Sequence, residues 1–409
     1  MNDQPQELPN GDSTPSESVD RLAITARIRA LLDGRMQIDR YQWNEQGAAL
    51  FHGRFLQPTE SFYRELREML ASLGFTPFLE RDGSYGPGDT LLAVPIVAAR
   101  PPLRLHLPIA LFLITIVTSM LAGAMNHQNS CFIESLPSDQ QIPAYLGLIL
   151  QTLFSPALFS GWPFALTVLS ILLAHEMGHF LVGRWRGAPV SPPYFIPLPP
   201  PLSFTGTMGA VIVQREPMED RKTILEIGLA GPFAGLIVAI PILIFGLATS
   251  NVGPPPTPPP GCSPGYTQEG NSLLYAGLKY AVFGQILPGN GVDVQLNDIA
   301  WGAWIGLLVT MLNLLPVGQL DGGHAAYALL GRRAHYLSYG VVAACVALGV
   351  TVSDTWLVWA VLVFLIGPRH PAPLNDVPTI QGWHRVLAIA GLAMFILLFM
   401  PAPLSIVTP

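Results

Sequence analysis

The chain has 409 residues, of which half are hydrophobic and only 12% charged, with a formal net charge of -6. A water-soluble chain carries about 25% charged residues, so this composition, with a mean hydropathy of +0.42, argues against a single soluble globule. The negative balance, with no Lys/Arg run and no interleaved aromatic stripe, also argues against a nucleic-acid surface.

Residues 1–18 are polar, acidic and rich in Ser, Pro and Asn, without the basic and apolar regions of a signal peptide, and are expected to form a disordered tail. Residues 19–100 read as a small cytosolic α+β domain. A helix over Asp20–Asp33 places Leu22, Ile24, Ile28, Leu31 and Leu32 mostly at helical spacing, and strand-like stretches follow at Met36–Trp43 and Ala48–Leu56. Thr59 can cap a second helix that buries Phe62, Leu66, Leu70 and Leu73 and ends at Gly74. Strands at Thr76–Glu80 and Thr90–Val97 flank a turn through Asp82 and Gly83. This region has no catalytic constellation, which leaves it a regulatory or substrate-presenting role.

Residues 101–409 read as an α-helical polytopic membrane region with about six to seven transmembrane helices. The spans are expected near Leu107–Met125, Ala165–Val182, Ile224–Leu247, Ile299–Leu315, Tyr336–Val352, Leu357–Ile366 and Val386–Met400. A further apolar stretch, Leu146–Phe159, either crosses completely or dips in as a re-entrant or interfacial segment. Arg100 and Arg104 precede the first span, Arg184 and Arg186 follow the second, and Arg332 and Arg333 lie between the fourth and fifth. By the positive-inside rule the N-terminal domain is cytosolic in a cell membrane, and the re-entrant reading keeps Arg184 and Arg186 on that side too. The segment 250–296 is then an extracytosolic loop, almost wholly proline from Gly253 to Pro260 and so a semi-rigid spacer. Cys262 in this loop and Cys131 in the other outer loop either pair or stay free, whereas Cys345 lies within a span as a small core residue.

Two motifs carry chemistry. HEMGH at His175–His179 ends the apolar run Pro163–Ala174, and LDGGH at Leu320–His324 ends another. Ionisable groups in a bilayer are costly and therefore usually functional. Four residues apart on a helix, His175 and His179 share a face and can reach one ion, with Glu176 beside them. Zinc suits this set, since it takes imidazole nitrogen and carboxylate oxygen tetrahedrally and keeps one position for water. Asp321, followed by Gly322 and Gly323 that let the backbone leave the helix, is the candidate third ligand, and Glu176 the general base. His324 suits a supporting or cytosolic-face role, because a fourth protein ligand would close the site to water. Asn313 lies eight residues before Asp321, with Pro316 interrupting the helix between them. Its amide either contacts the substrate backbone or a developing oxyanion, or makes a helix–helix hydrogen bond.

HEMGH together with NLLPVGQLDGG (Asn313–Gly323) resembles the site-2 protease family of intramembrane zinc metalloproteases, peptidase M50. PYFIPLP at Pro193–Pro199, GTMGAVI at Gly206–Ile212, IGLAGPFAG at Ile227–Gly235 and HPAPLND at His370–Asp376 resemble its plastid and cyanobacterial branch, named for ethylene-dependent gravitropism-deficient and yellow-green plants. The resemblance implies one zinc ion held by His175, His179 and Asp321, with Glu176 as acid/base and Asn313 as a substrate or oxyanion contact. It further implies hydrolysis of peptide bonds in or near the spans of membrane-protein substrates. Gly206–Ile212 would be a strand that an unwound substrate joins by β-augmentation. Gly231, Pro232 and Gly235 would be packing and bending positions. Two other classes stay open. One is an idle member that binds or chaperones membrane proteins, against which the intact His175, Glu176, His179 and Asp321 argue. The other is a secondary transporter, which predicts inverted repeats that the two halves do not display.

Overall fold

The structure is a computed structural model that describes residues 6–7, 15–83, 86–96, 105–126, 133, 136–214, 216–255 and 266–407. The chain divides into two compact units.

The first unit gathers Met1–Pro101 with two distant segments, Arg215–Ile224 and Pro371–Arg385. Strands β1 (Gln6–Glu7), β2 (Met36–Trp43), β3 (Ala49–Phe55), β4 (Thr76–Arg81) and β5 (Asp89–Val94) form one sheet in the order β1-β2-β3-β5-β4. All pairs are antiparallel except β1 with β2. Alternation in β4 turns Pro77 and Leu79 inward, as the two-residue period of a half-buried strand requires. Helices α1 (Pro15–Leu32) and α2 (Thr59–Ser72) supply Ile28, Leu32, Phe62, Tyr63, Leu66 and Leu70 to the same core. Helix α1 thus begins inside the stretch expected to be a disordered tail. The expected cap at Thr59 is not made. Pro58 occupies the capping position, and the Thr59 hydroxyl instead donates to Asn375 Oδ1 at 3.1 Å. Gly74 ends the helix as expected, with φ +85°. Tyr63 donates its hydroxyl to the Pro77 carbonyl at 3.0 Å, and burial pushes its phenol well above the usual range.

The two distant segments complete this unit. Leu79 N–H donates to Leu374 O and Asp376 N–H to Leu79 O, both at 2.8 Å, while Leu374 N–H and Asn375 N–H donate to Met218 O and Glu219 O. The segment from Leu374 to Asp376 therefore extends the sheet past β4, and a buried Leu374 joins the core. Ion pairs Arg221–Asp376 at 2.7 Å, Lys222–Glu60 at 2.5 Å, Arg64–Glu219 at 3.1 Å and Arg67–Glu216 fasten the segments. Leu374→Ala is expected to cost this unit about 2–5 kcal/mol, read as faster hydrogen exchange at the amides of β4 and β5.

The second unit gathers Pro102–Gln214, Leu225–His370 and Val386–Pro409. Its helices are α3 (His106–Asn126), α4 (Ser138–Leu153), α5 (Trp162–Trp185), α6 (Arg221–Ala248, from Leu225 onward), α7 (Leu273–Phe283), α8 (Asp298–Asn313), α9 (Asp321–Leu330), α10 (Ala334–Thr351), α11 (Thr355–Ile366) and α12 (Trp383–Leu398). Among the described residues, four stretches are long and apolar enough to cross a membrane, namely His106–Asn126, Pro156–Trp185, Arg221–Ala248 and Asp321–Thr351. That is fewer than the expected six to seven. Helices α8 and α12 have 16 residues and α11 has 12. At 1.5 Å per residue these lengths are about 24 and 18 Å, short of a hydrocarbon core of about 30 Å. The stretch Leu146–Phe159 is divided between the end of α4 and a tight turn at Pro156–Gly161 that runs into α5.

The segment expected as an irregular loop, 250–296, carries strands β8 (Asn251–Gly253), β9 (Tyr266–Glu269) and β10 (Asp293–Gln295) besides α7. Lys279 is fully buried there, with Asp293 at 3.3 Å and Glu269 at 3.5 Å. Tyr275 donates its hydroxyl to Glu269. Burial pushes the Glu269 carboxyl up, and the Lys279 ammonium partly offsets it. Arg100, Arg104, Cys131, Cys262 and most of the proline tract lie outside the described residues.

Candidate metal centre

The second unit brings His175, His179 and Asp321 together. The apolar run Pro163–Ala174 makes α5 a continuous helix, and its four-residue spacing puts both imidazoles on one side. Their Nε2 atoms lie 3.1 Å apart. Asp321 arrives from the start of α9, with Oδ2 at 3.2 Å from His175 Nε2 and Oδ1 at 3.4 Å from His179 Nε2. Both histidines are buried. Three lone-pair donors thus converge where water is scarce, an arrangement that a cation relieves. A small tetrahedral ion held at about 2.0–2.1 Å separates its ligands by about 3.3–3.4 Å, and the three observed edges are close to that. Among the described residues this trio is the one group of side chains placed to hold a metal ion.

His179 is oriented from behind. Its Nδ1–H donates to the Ile227 carbonyl at 2.7 Å, which leaves the Nε2 lone pair facing Asp321. Fixing one ring nitrogen by a hydrogen bond sets the tautomer of the other. The packing behind the ligands depends on glycine. A Cβ on Gly231 would run into the His179 ring, one on Gly235 would sit 3.4 Å from His175, and one on Gly178 would run into the Ala230 carbonyl. Helix α6 reaches the histidines this closely because these positions lack side chains. Gly231→Ala is therefore expected to displace His179 and weaken metal binding, overpacking of this kind being worth about 1–3 kcal/mol. Gly277→Ala, where a Cβ meets nothing within 4 Å, is the matched control in a metal titration.

Gly322 and Gly323 act differently from the sequence expectation. They do not take the chain out of a helix. They sit in the first turn of α9, where a Cβ would strike the Leu314 carbonyl or those of Val317 and Gly318. The pair lets this turn press onto the preceding loop and carry the Asp321 carboxylate at a helix N-terminus, where the dipole favours negative charge.

Glu176 is buried on α5, one residue after His175. Asn313 ends α8, and its Nδ2 lies 3.3 Å from His175 Nε2. The amide makes a helix–helix contact, at a nitrogen of the candidate trio. Close packing of α8 on α5 holds it there, with Gly302 against Thr167 and Gly306 against Ile171. His324 lies outside the trio, with Nδ1 2.7 Å from His370 Nε2.

Strands β6 (Tyr194–Pro197) and β7 (Thr207–Val211) form an antiparallel hairpin. Buried Phe195 packs on Phe112 of α3 with ring centroids 4.7 Å apart, and Thr118 of α3 donates to the Gly206 carbonyl at 2.6 Å. Among the described residues β7 pairs with β6 alone, and its Met208 and Val211 are exposed.

The orienting carbonyl of Ile227 and the His324–His370 contact were not identified from sequence. The first leaves no side-chain signal. Its location was nevertheless marked by Gly228, Gly231 and Gly235, which share one face of α6.

No solved structure matches the chain. Among curated proteins it is 30% identical over 247 residues to "Probable zinc metalloprotease EGY2, chloroplastic" of Arabidopsis thaliana, covering 60% of this chain and 42% of that protein. It is 29% identical over 324 residues to "Probable zinc metalloprotease EGY1, chloroplastic" of the same plant, covering 77% and 54%. The corresponding EGY1 protein of Oryza sativa subsp. japonica is 32% identical over 258 residues, covering 61% and 42%. The chain thus spans about half the length of the relatives it matches. Residues 163–353, which include His175, Glu176, His179, Asn313 and Asp321, match Peptidase family M50.

Proposed function

We propose that the chain is a zinc metalloprotease that hydrolyses peptide bonds in or near the membrane-spanning segments of protein substrates. The observation that carries this reading is the tetrahedral spacing of His175, His179 and Asp321 on apolar helices. Relatives named as zinc metalloproteases support the choice of ion. Bound there, zinc supplies Lewis acidity that makes a water nucleophilic near neutral pH. Glu176 would act as the acid/base of the site, taking up the proton of an attacking water and returning one to the departing amine. Asn313 donates its amide to the substrate carbonyl oxygen as charge develops there. The substrate lies along the edge of β7 that is unpaired among the described residues, as an added strand, since a helix hides its carbonyls from attack and must unwind first.

The chain lies in a cell membrane with its N-terminal domain and active-site end on the cytosolic face. Arg184, Arg186, Arg332 and Arg333 support that orientation. The short helices α8, α11 and α12 complete about six to seven crossings with α3, α5, α6 and α10, and Leu146–Phe159 stays at the outer surface. Zinc analysis of the purified full chain is expected to give one ion per chain, lost on His175→Ala. A chain without stoichiometric zinc, or zinc indifferent to His175→Ala, contradicts the reading.

A further inference from the structure

His324 and His370 form a second imidazole pair that the proposed chemistry does not use. One ring donates to the bare nitrogen of the other across 2.7 Å, with the rings edge to face at 4.9 Å. His370 also stacks on the buried Tyr327, with centroids 4.4 Å apart and planes 20° from parallel. His324 and Tyr327 are three residues apart on α9, so one loop residue grips two positions on one face of the helix that Asp321 begins.

The main chain carries this grip to Asp321. His324 N–H donates to the Leu320 carbonyl at 3.0 Å and closes the turn containing Asp321, Gly322 and Gly323. Among the described residues no side chain caps this helix, and packing holds the turn. On its other side His324 is pressed against α6, where a Cβ on Gly228 would fall 2.6 Å from His324 Cβ. Gly228 follows Ile227, whose carbonyl orients His179. The side chain of His324 thus sets the Asp321 turn against the segment that holds another of the three ligands.

We infer that His370 is a positioning residue for the metal site, locking His324, and through it the Asp321 carboxylate, in register with His179. This rests on the zinc reading above. Residues that support metal ligands without touching the ion are worth about 10–100-fold in affinity, and a loss in that range is expected here.

Two variants separate the hydrogen bond from the stacking. His370→Phe keeps a ring on Tyr327 and removes the hydrogen bond, whereas His370→Gln keeps a side-chain amide to meet His324 and removes the ring. Zinc affinity of the purified full chain, measured by competition against a chromophoric chelator, is expected to fall about 10–100-fold in the Phe variant. The Gln variant is expected to stay within about threefold of the parent, since it keeps the hydrogen bond. Parent-like affinity in the Phe variant, or equal losses in both, would overturn the inference. A parent chain that binds no zinc would instead overturn the metalloprotease reading, and the two failures are therefore distinct.

Discussion

Glu176→Gln is expected to leave zinc at the parent stoichiometry and to lower peptide hydrolysis by about 10²–10⁴-fold, the usual contribution of a positioned acid/base. The substitution preserves size and burial and removes only the ability to accept a proton. Glu176 lies outside the trio of ligand atoms, so nothing that holds the ion changes. The experiment pairs zinc analysis with cleavage of a membrane-spanning reporter. A Gln variant that cleaves at the parent rate would remove Glu176 from the chemistry, and one that loses zinc would make it a ligand instead.

Asp321→Asn is expected to have the opposite signature, losing zinc and hydrolysis together. The carboxylate approaches both histidines, at 3.2 and 3.4 Å, and is the anionic member of the trio. A neutral amide in its place offers one weaker oxygen and removes the charge that offsets the cation. The fall in affinity should exceed the 10–100-fold typical of supporting residues. Titration of the metal-free variant checks this, and parent-like affinity would exclude Asp321 as a ligand. The contrast matters, since an inactive Glu176→Gln chain keeps its zinc and an inactive Asp321→Asn chain does not.

The candidate site was legible in the sequence because its residues break a pattern. His175, Glu176 and His179 interrupt an apolar helix at a spacing that dictates a shared face, and a carboxylate ahead of a glycine pair has few bland explanations in an apolar setting. The glycines were legible as unusual but not in their role, because the carbonyls of Leu314 and Val317 that they accommodate carry no side-chain signal. The strands and helices of the N-terminal region followed from period and turn chemistry, with bounds within a few residues. What did not follow were contacts distant in sequence. Asn375 outcompetes local capping for the Thr59 hydroxyl from more than 300 positions away, and Leu374 completes a hydrophobic core built before residue 95. Among the described residues four of the expected spans lie in stretches long enough to cross unaided, whereas those at α8, α11 and α12 are short, because apolar composition reports burial in protein and burial in lipid alike and only length separates them. Helix α7 was hidden by the proline tract before it and by the expectation of an irregular loop.

The central claim is hydrolysis of membrane proteins, and the direct measurement compares the membrane proteomes of cells carrying the parent chain and the Glu176→Gln chain. Uncleaved or partly trimmed membrane-bound fragments are expected to accumulate in the variant cells, and their termini would name the substrates. Identical proteomes, with both chains present and loaded with zinc, would contradict the account.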